Sequence, residues 1–275
     1  MTGPGSISGN RSEQLRKSGR NLYHIPVNPL ITLKEKIRDI QALREGEVHI
    51  WEITLDDPAF KTGDFFGEVL SGDERSRASR LIAGVYRDRF VTARGCMRII
   101  LGRYLEMPPG GIRFEYNKHG KPALSAEANP KSLRFNLSHS RSLALFAVTV
   151  TGEIGIDLEY PRRVLRAEKI LERFFSEAER EYYRSRTETE KERAFMSLWT
   201  IKEAYSKALG KGLSSQLRDV DLSPTLSDDA TSRASVHNDN GPEEIWTLHR
   251  FRPRDEYVAT LAVKGEASVI SRYSI

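Results

Sequence analysis

The sequence predicts an α+β fold in which two similar α/β halves lie in one chain. Three observations carry this expectation. The order of strand, loop, Ser-x-x-Glu helix start and long helix occurs twice: Val48–Thr54 corresponds to Ile154–Tyr160, and Ser71–Glu74 to Ser176–Glu179. Short runs alternate apolar and polar residues, which is the period of a half-buried strand. Helix-compatible stretches stop at Pro and Gly, as at Pro108-Pro109-Gly110-Gly111 and at Gly210. A repeated supersecondary unit points to an internal duplication. Two halves that meet along an interface commonly leave a ligand cleft there.

Each element follows from local chemistry. Residues 1–45 are expected to form a flexible arm on the surface, because Met1–Asn10 is rich in Gly and Ser and lacks periodicity. Within it, Leu33–Leu43 is compatible with a short helix. Residues 46–152 form the first half, which opens with a strand in which Val48 and Ile50 alternate with His49 and Trp51. Ser71 and Glu74 make a capping box, in which hydroxyl and carboxylate satisfy opposite orphan N–H groups. The helical region that follows continues to Leu105, with a break near Gly84. Ile112–Tyr116 alternates, Asn117–Gly120 is a turn, and Leu133–Leu137 and Leu143–Val150 are rich in strand formers. Thr151-Gly152 reads as a tight hairpin connection into Ile154–Tyr160. Residues 153–275 form the second half. Ser176 and Glu179 repeat the capping box, and a further helix runs from about Glu192 to Leu209, with Gly210 as its stop. A polar loop is expected around Leu226–Gly241, and closing strands near Glu244–Leu248 and Tyr257–Val263.

Composition narrows the function. The chain of 275 residues has one cysteine, Cys96, which excludes an internal disulfide and a cysteine-built metal cluster. No apolar run reaches the roughly 18 residues a membrane span needs, and the N-terminus lacks the apolar core of a signal peptide. A cytoplasmic protein is therefore expected. The net charge of +5 suits a phosphorylated ligand, an acidic partner or nucleic acid, and does not choose among them.

Three segments could carry chemistry. In IGIDLEY, Ile154–Tyr160, alternation sends Ile154, Ile156 and Leu158 to one face and Asp157 and Glu159 to the other. Two adjacent acids suit a solvent-facing edge, or a hard divalent cation that takes carboxylates together with phosphate oxygens. In LWTIKEAYSKALGKGL, Leu198–Leu213, Glu203 and Lys207 lie four apart on one helix face, either as a surface ion pair or as a third acid beside a phosphate-binding lysine. Trp199, one turn earlier on the same stripe, implies partial enclosure. In FNLSHS, Phe135–Ser140, polar donors Asn136, Ser138 and His139 bunch at a strand end. A serine-hydrolase reading fails, because adjacent strand residues face opposite ways and the Gly-x-Ser-x-Gly elbow is absent. Arg75, Arg77, Arg89 and Lys121 add cations upstream, of which arginine best matches phosphate.

Together GKPAL (Gly120–Leu124), FNLSHS, IGIDLEY, RFFSEAE (Arg173–Glu179) and LWTIKEAYSKALGKGL resemble, in order, the motifs of 4′-phosphopantetheinyl transferases. The resemblance is to the larger, surfactin-type class, a pseudo-dimer of two similar halves with the active site in the cleft between them. It spans about Val48–Val263. It implies transfer of phosphopantetheine from coenzyme A to a serine of an apo acyl or peptidyl carrier protein, bound transiently by a monomeric enzyme. It implies Mg2+, with Mn2+ as an alternative, held by Asp157, Glu159 and Glu203, and catalysis by Glu203 and Lys207. Coenzyme A would be held by Arg77, Arg89, Lys121, Ser138, His139, Asp157 and Lys207, with His139 at the 3′-phosphate. Arg77 stands where the family often has lysine. Setting Val48–Ile53 against Ile154–Glu159 places Trp51 opposite Asp157 and Ile53 opposite Glu159, so the first half lacks the acids and one active site per chain follows.

Two rivals share some features. A magnesium-dependent phosphodiesterase or nuclease would use the same acids with water as nucleophile. A nucleic-acid-binding protein would use the positive charge, but no helix-turn-helix, zinc-finger or RNA-recognition signature is present. Neither nucleic acid nor a membrane is expected as a partner.

Overall fold

A computed structural model describes residues 33, 35–38, 40–60, 66–212, 217–218, 220, 222, 231–236 and 244–275. Most of the expected arm and parts of the expected 226–241 loop lie outside the described residues. The first half contains strand β1 (Glu47–Thr54), helices α1 (Gly72–Ser79) and α2 (Gly84–Leu105), a short hairpin of β2 (Phe114–Tyr116) and β3 (Pro122–Leu124), and strands β4 (Arg134–Ser140) and β5 (Leu143–Thr149). Next come β6 (Ile154–Glu159), α3 (Ala167–Phe174), α4 (Glu177–Arg184), α5 (Lys191–Leu209), β7 (Thr231–Val236), β8 (Glu244–Phe251), β9 (Val258–Lys264) and β10 (Val269–Ser274). The expected α+β chain with two sheet-containing halves is what the strands form.

One sheet has the order β10-β1-β5-β4 and the other β6-β9-β8-β7. Strand alternation explains how they stack. Val48 and Ile50 of β1, Leu143 and Leu145 of β5, and Ile154 and Ile156 of β6 share one core between the sheets. The opposite residues of β1 and β5, such as Trp51, Ile53 and Phe146, face Cys96, Met97 and Ile100 of α2. On the far side, Trp246, Leu248 and Ala262 pack on Ile201, Ala204 and Tyr205 of α5. The layers therefore run helix, sheet, sheet, helix, each apolar face covered by the next.

Both capping boxes form, and each glutamate does a second task. Glu74 accepts from the Ser71 N–H at 3.1 Å and also from Arg98 Nε of α2 at 2.6 Å. Glu179 accepts from the Ser176 N–H at 2.8 Å and pairs with Lys202 Nζ of α5 at 2.9 Å. In each half a buried cation of the long helix is thus tied to the N-terminus of the helix before it. This shared device is the strongest structural trace of the duplication.

Four expectations need correction. Thr151-Gly152 does not close a hairpin: β5 pairs with β1 and β4, β6 pairs with β9, and the turn crosses between sheets. A strand, β7, occupies part of the expected polar loop because it finds an antiparallel partner in β8. The C-terminal segment does not stay with the second half, since β10 runs parallel to β1 and extends the first sheet. The part of the arm at Leu33 and Ile37 is not merely surface, because both side chains are buried in the first-half core.

Candidate active site

The edge strands of the two sheets, β4 and β6, lie side by side, and the long helices flank them. β4 sends Phe135 and Leu137 toward the α2 side, with His139 next in that alternation. β6 sends Gly155, Asp157 and Glu159 toward α5. Gly155 is what allows α5 to lie so close: a Cβ there would stand 2.0 Å from the Ala204 carbonyl oxygen and 2.5 Å from the Ala208 nitrogen. This close approach sets Glu203 and Lys207 over Asp157.

The result is a cleft of about 450 Å³ lined by Asn136, Ser138 and His139 from β4, Asp157 and Glu159 from β6, Trp199, Glu203 and Lys207 from α5, and Phe90 and Arg94 from α2, with Arg77 at its rim. Seven of the nine residues to which the resemblance gives a site role therefore line it: Arg77, Ser138, His139, Asp157, Glu159, Glu203 and Lys207. Arg89 does not line this cleft. It lines an adjoining cavity of about 510 Å³, which shares Arg77, Phe90 and His139 with the first and adds Arg141, Tyr160 and Arg162. There Asp56 holds the Arg89 fork through two hydrogen bonds, at 2.8 and 2.6 Å. Lys121 lies outside the cleft. Its ammonium donates to the carbonyls of Ala208 (2.8 Å) and Ile154 (3.2 Å) and pairs with Glu153, clamping the hairpin β2–β3 to the end of α5 and the start of β6.

Asp157 is the centre of the polar network. It is buried, and its Oδ1 accepts from Lys207 Nζ at 2.6 Å and from Ser138 Oγ at 3.0 Å. Lys207 Nζ also donates to Ser138 Oγ at 2.9 Å and to the Ile156 carbonyl at 3.3 Å. The second carboxylate oxygen, Oδ2, is buried without a hydrogen-bond partner. Burial raises the proton affinity of Glu203, and the charge of Asp157 adds to it, while Lys207 opposes. Burial likewise raises Glu159, again helped by Asp157 and opposed by Arg162, Ser140 and Lys207. Three acids thus repel one another across one cleft, and an added cation would relieve that repulsion.

Whether a metal suits this site follows from the donors. Among the described residues no group of three or more His, Cys, Asp or Glu side chains is already arranged to hold a metal ion. Magnesium does not need one, since it uses one or two carboxylates and fills its remaining positions with water and substrate phosphate oxygens. An orphaned buried carboxylate oxygen beside two further acids fits that requirement.

The sequence reading missed Arg94, Phe90 and Ser140. Arg94 is buried on α2, with its guanidinium 5.9 Å from the Phe90 ring centroid and 3.8 Å from Glu74. The available signal was a pair of arginines, Arg94 and Arg98, four apart inside the otherwise apolar run around Cys96 and Ile100. Charges in a buried helix stripe need partners and so mark structural or functional centres. Ser140 was hidden because a serine near a strand end is ordinary.

Comparisons with known proteins give a consistent picture. A family model described as 4′-phosphopantetheinyl transferase superfamily matches residues 153–262. A model described as 4′-phosphopantetheinyl transferase, N-terminal, matches residues 57–151. The 4′-phosphopantetheinyl transferase HetI of Nostoc sp. (strain PCC 7120) is 40% identical over 223 residues, which is 81% of this chain and 90% of that protein. The 4′-phosphopantetheinyl transferase Sfp of Bacillus subtilis is 28% identical over 60% of this chain and 71% of its own length. The human L-aminoadipate-semialdehyde dehydrogenase-phosphopantetheinyl transferase is 26% identical over 70% of this chain and 66% of its own length.

Proposed function

The chain belongs to the 4′-phosphopantetheinyl transferase superfamily and transfers the phosphopantetheine group to carrier proteins; from that premise we propose how its cleft does so. Coenzyme A lies between α2 and α5 across the edges of β4 and β6. Asp157, Glu159 and Glu203 would hold a magnesium ion, for which manganese could substitute. When bound, that ion would supply charge neutralisation at the pyrophosphate, the general role of a divalent cation in phosphoryl transfer. The observation that carries this reading is Asp157, with one oxygen on Lys207 and the other buried without a partner.

The chain's own residues do the rest. Ser138, His139, Arg77 and Arg94 border the cleft and take the phosphates of the nucleotide end, and Arg89 reaches them from the adjoining cavity. Lys121 acts on the coenzyme indirectly, by fixing the hairpin beside it. The carrier serine oxygen bonds to the phosphorus that bears the pantetheine arm, and the bond from that phosphorus to the oxygen of 3′,5′-ADP breaks. Glu203, as the carboxylate, accepts the serine proton. Lys207 donates hydrogen bonds to the departing phosphate and stabilises its charge. Trp199 walls off one side of this region from water.

The same reading makes carrier docking transient, with the positive balance steering an acidic partner toward the cleft. It treats the enzyme as a cytoplasmic monomer. No helix among the described residues is long and apolar enough to cross a membrane.

Intact-protein mass spectrometry of an apo carrier protein, incubated with the enzyme, coenzyme A and magnesium, tests the reading. A gain of one phosphopantetheine is expected, lost on chelation or in Asp157→Ala. Undiminished transfer by the Asp157→Ala enzyme would remove the metal assignment. Release of nucleotide without a carrier would favour the phosphodiesterase alternative.

A further inference from the structure

We infer that Asn136 and Ser140 are positioning residues of the transferase: with Ser138 they form a comb along β4 that holds the edge of β6, and with it the carboxylates of Asp157 and Glu159. The inference rests on the reading of those acids as metal-binding. β4 and β6 belong to different sheets, and among the described residues β6 has its backbone ladder with β9 alone. Something other than a ladder must therefore fix how β6 sits against β4 where the cleft opens.

Three side chains at alternate positions meet that need. Asn136 Oδ1 accepts from the backbone N–H of Ile156 at 3.0 Å. Ser138 Oγ donates to Asp157 Oδ1 at 3.0 Å. Ser140 Oγ accepts from the backbone N–H of Tyr160 at 3.1 Å and donates toward Glu159 Oε2 at 3.4 Å. Both backbone contacts span the same sequence separation of 20 residues, so the two edges run alongside each other in a single register. The N–H groups they satisfy bracket the two acids in the chain.

The chemistry explains the residue types. Asn and Ser are short and carry an acceptor within reach of a neighbouring edge, and each can serve a buried N–H that would otherwise lose its partner. A larger side chain would push the edges apart. An apolar one would leave the Ile156 N–H unpaired next to Asp157. The motif Phe135–Ser140 therefore has two tasks: His139 addresses the cavities, while Asn136, Ser138 and Ser140, which also border them, hold the other sheet. Side chains that orient a ligating carboxylate without touching the metal commonly control its affinity.

The test measures binding of Mn2+ by electron paramagnetic resonance to the metal-stripped full chain, without coenzyme A. Wild type, Asp157→Ala, Asn136→Ala, Ser140→Ala and Ser140→Thr are compared. In parallel, calorimetry follows 3′,5′-ADP binding in chelator. The wild type is expected to bind Mn2+, Asp157→Ala to lose it, and Ser140→Ala to bind about 10-fold more weakly. Ser140→Thr, which keeps the hydroxyl and suits a strand, is expected to restore binding, and metal-free 3′,5′-ADP affinity to stay level. Wild-type Mn2+ affinity in both Ser140→Ala and Asn136→Ala overturns the comb. So does a parallel fall in 3′,5′-ADP affinity, because Ser140 also lines the adjoining cavity and would then be acting on the ligand directly. If Asn136→Ala does not fold, the Ser140 pair decides. Equal Mn2+ binding by wild type and Asp157→Ala overturns the metal reading itself, an outcome distinct from failure of the comb alone.

Discussion

Replacing Gly155 by alanine asks whether the contact between β6 and α5 builds the active site. A methyl group at this position would lie 2.0 Å from the Ala204 carbonyl oxygen and 2.5 Å from the Ala208 nitrogen. Ordinary contacts of this kind lie near 3.4 Å or beyond, so α5 or β6 must yield by more than an ångström. Both obstructing atoms are backbone, and no side-chain rotation relieves them. Overpacking of this sort costs about 1–3 kcal/mol, which in a domain of this size lowers the melting temperature by roughly 2–12 °C. The functional loss should be larger than the stability loss implies. Ala204 and Ala208 flank Lys207 and follow Glu203, so the displaced segment is the one that carries both groups. A misplacement of about 1 Å costs on the order of 100-fold in rate. Carrier modification followed by mass spectrometry, with scanning calorimetry on the same preparations, reads both quantities. Transfer within threefold of wild type in the Gly155→Ala enzyme would refute the claim that this approach positions Glu203 and Lys207.

Other outcomes follow from the same geometry. Lys202→Met leaves Glu179 charged and buried without its ion-pair partner, which should cost about 3–5 kcal/mol; thermal unfolding should show the loss, and Glu179→Gln in the same chain should recover part of it. Lys121→Met removes a clamp with two carbonyl acceptors and Glu153, so the melting temperature should fall while the KM for coenzyme A changes little; a rise in KM without loss of stability would return Lys121 to direct coenzyme binding. Glu159 and Glu203 hold their protons more tightly in the fold than at the ordinary value of 4.5, so their contribution to stability is complete below that pH and is lost as pH rises through the raised values. In chelator, Glu203→Gln should therefore gain stability relative to wild type as pH rises from 4.5 toward neutrality, and calorimetry showing the opposite trend would contradict the repulsion described at the site.

Local chemistry made much of this protein legible in its sequence. The alternation in Ile154–Glu159 placed the acids on the face opposite the core, because a strand allows no other arrangement. Serine and glutamate three apart marked both helix starts, and Gly210 marked the end of α5, where it takes a positive φ of 65°. What escaped depended on partners far away in the chain. Thr151-Gly152 has the look of a hairpin turn, and only the pairing of β6 with β9 shows that the chain changes sheet there. Val269–Ser274 lacks a clean alternation because it is an edge strand with side chains only partly covered. The site was legible in its acids, lysine and histidine, whose types announce chemistry. Arg94, Phe90 and Ser140 were not, and Asn136 was legible only as a polar donor, since their importance lies in what they touch.

The parallel pairing of β10 with β1 has a consequence for how the molecule is made. During synthesis from the N-terminus, β1 emerges more than 200 positions before the strand that flanks it, as the partnership of Glu52 with Ser274 illustrates. The first sheet therefore waits with an open margin while the second is being built, and closes only when Val269–Ser274 arrives. A nascent-chain experiment should find protease resistance in the first half arriving late rather than at the 152/153 junction. A fragment ending at that junction should recover stability when a peptide spanning 266–275 is supplied in trans, so the duplicated halves, though alike, are fastened like a clasp rather than joined like beads.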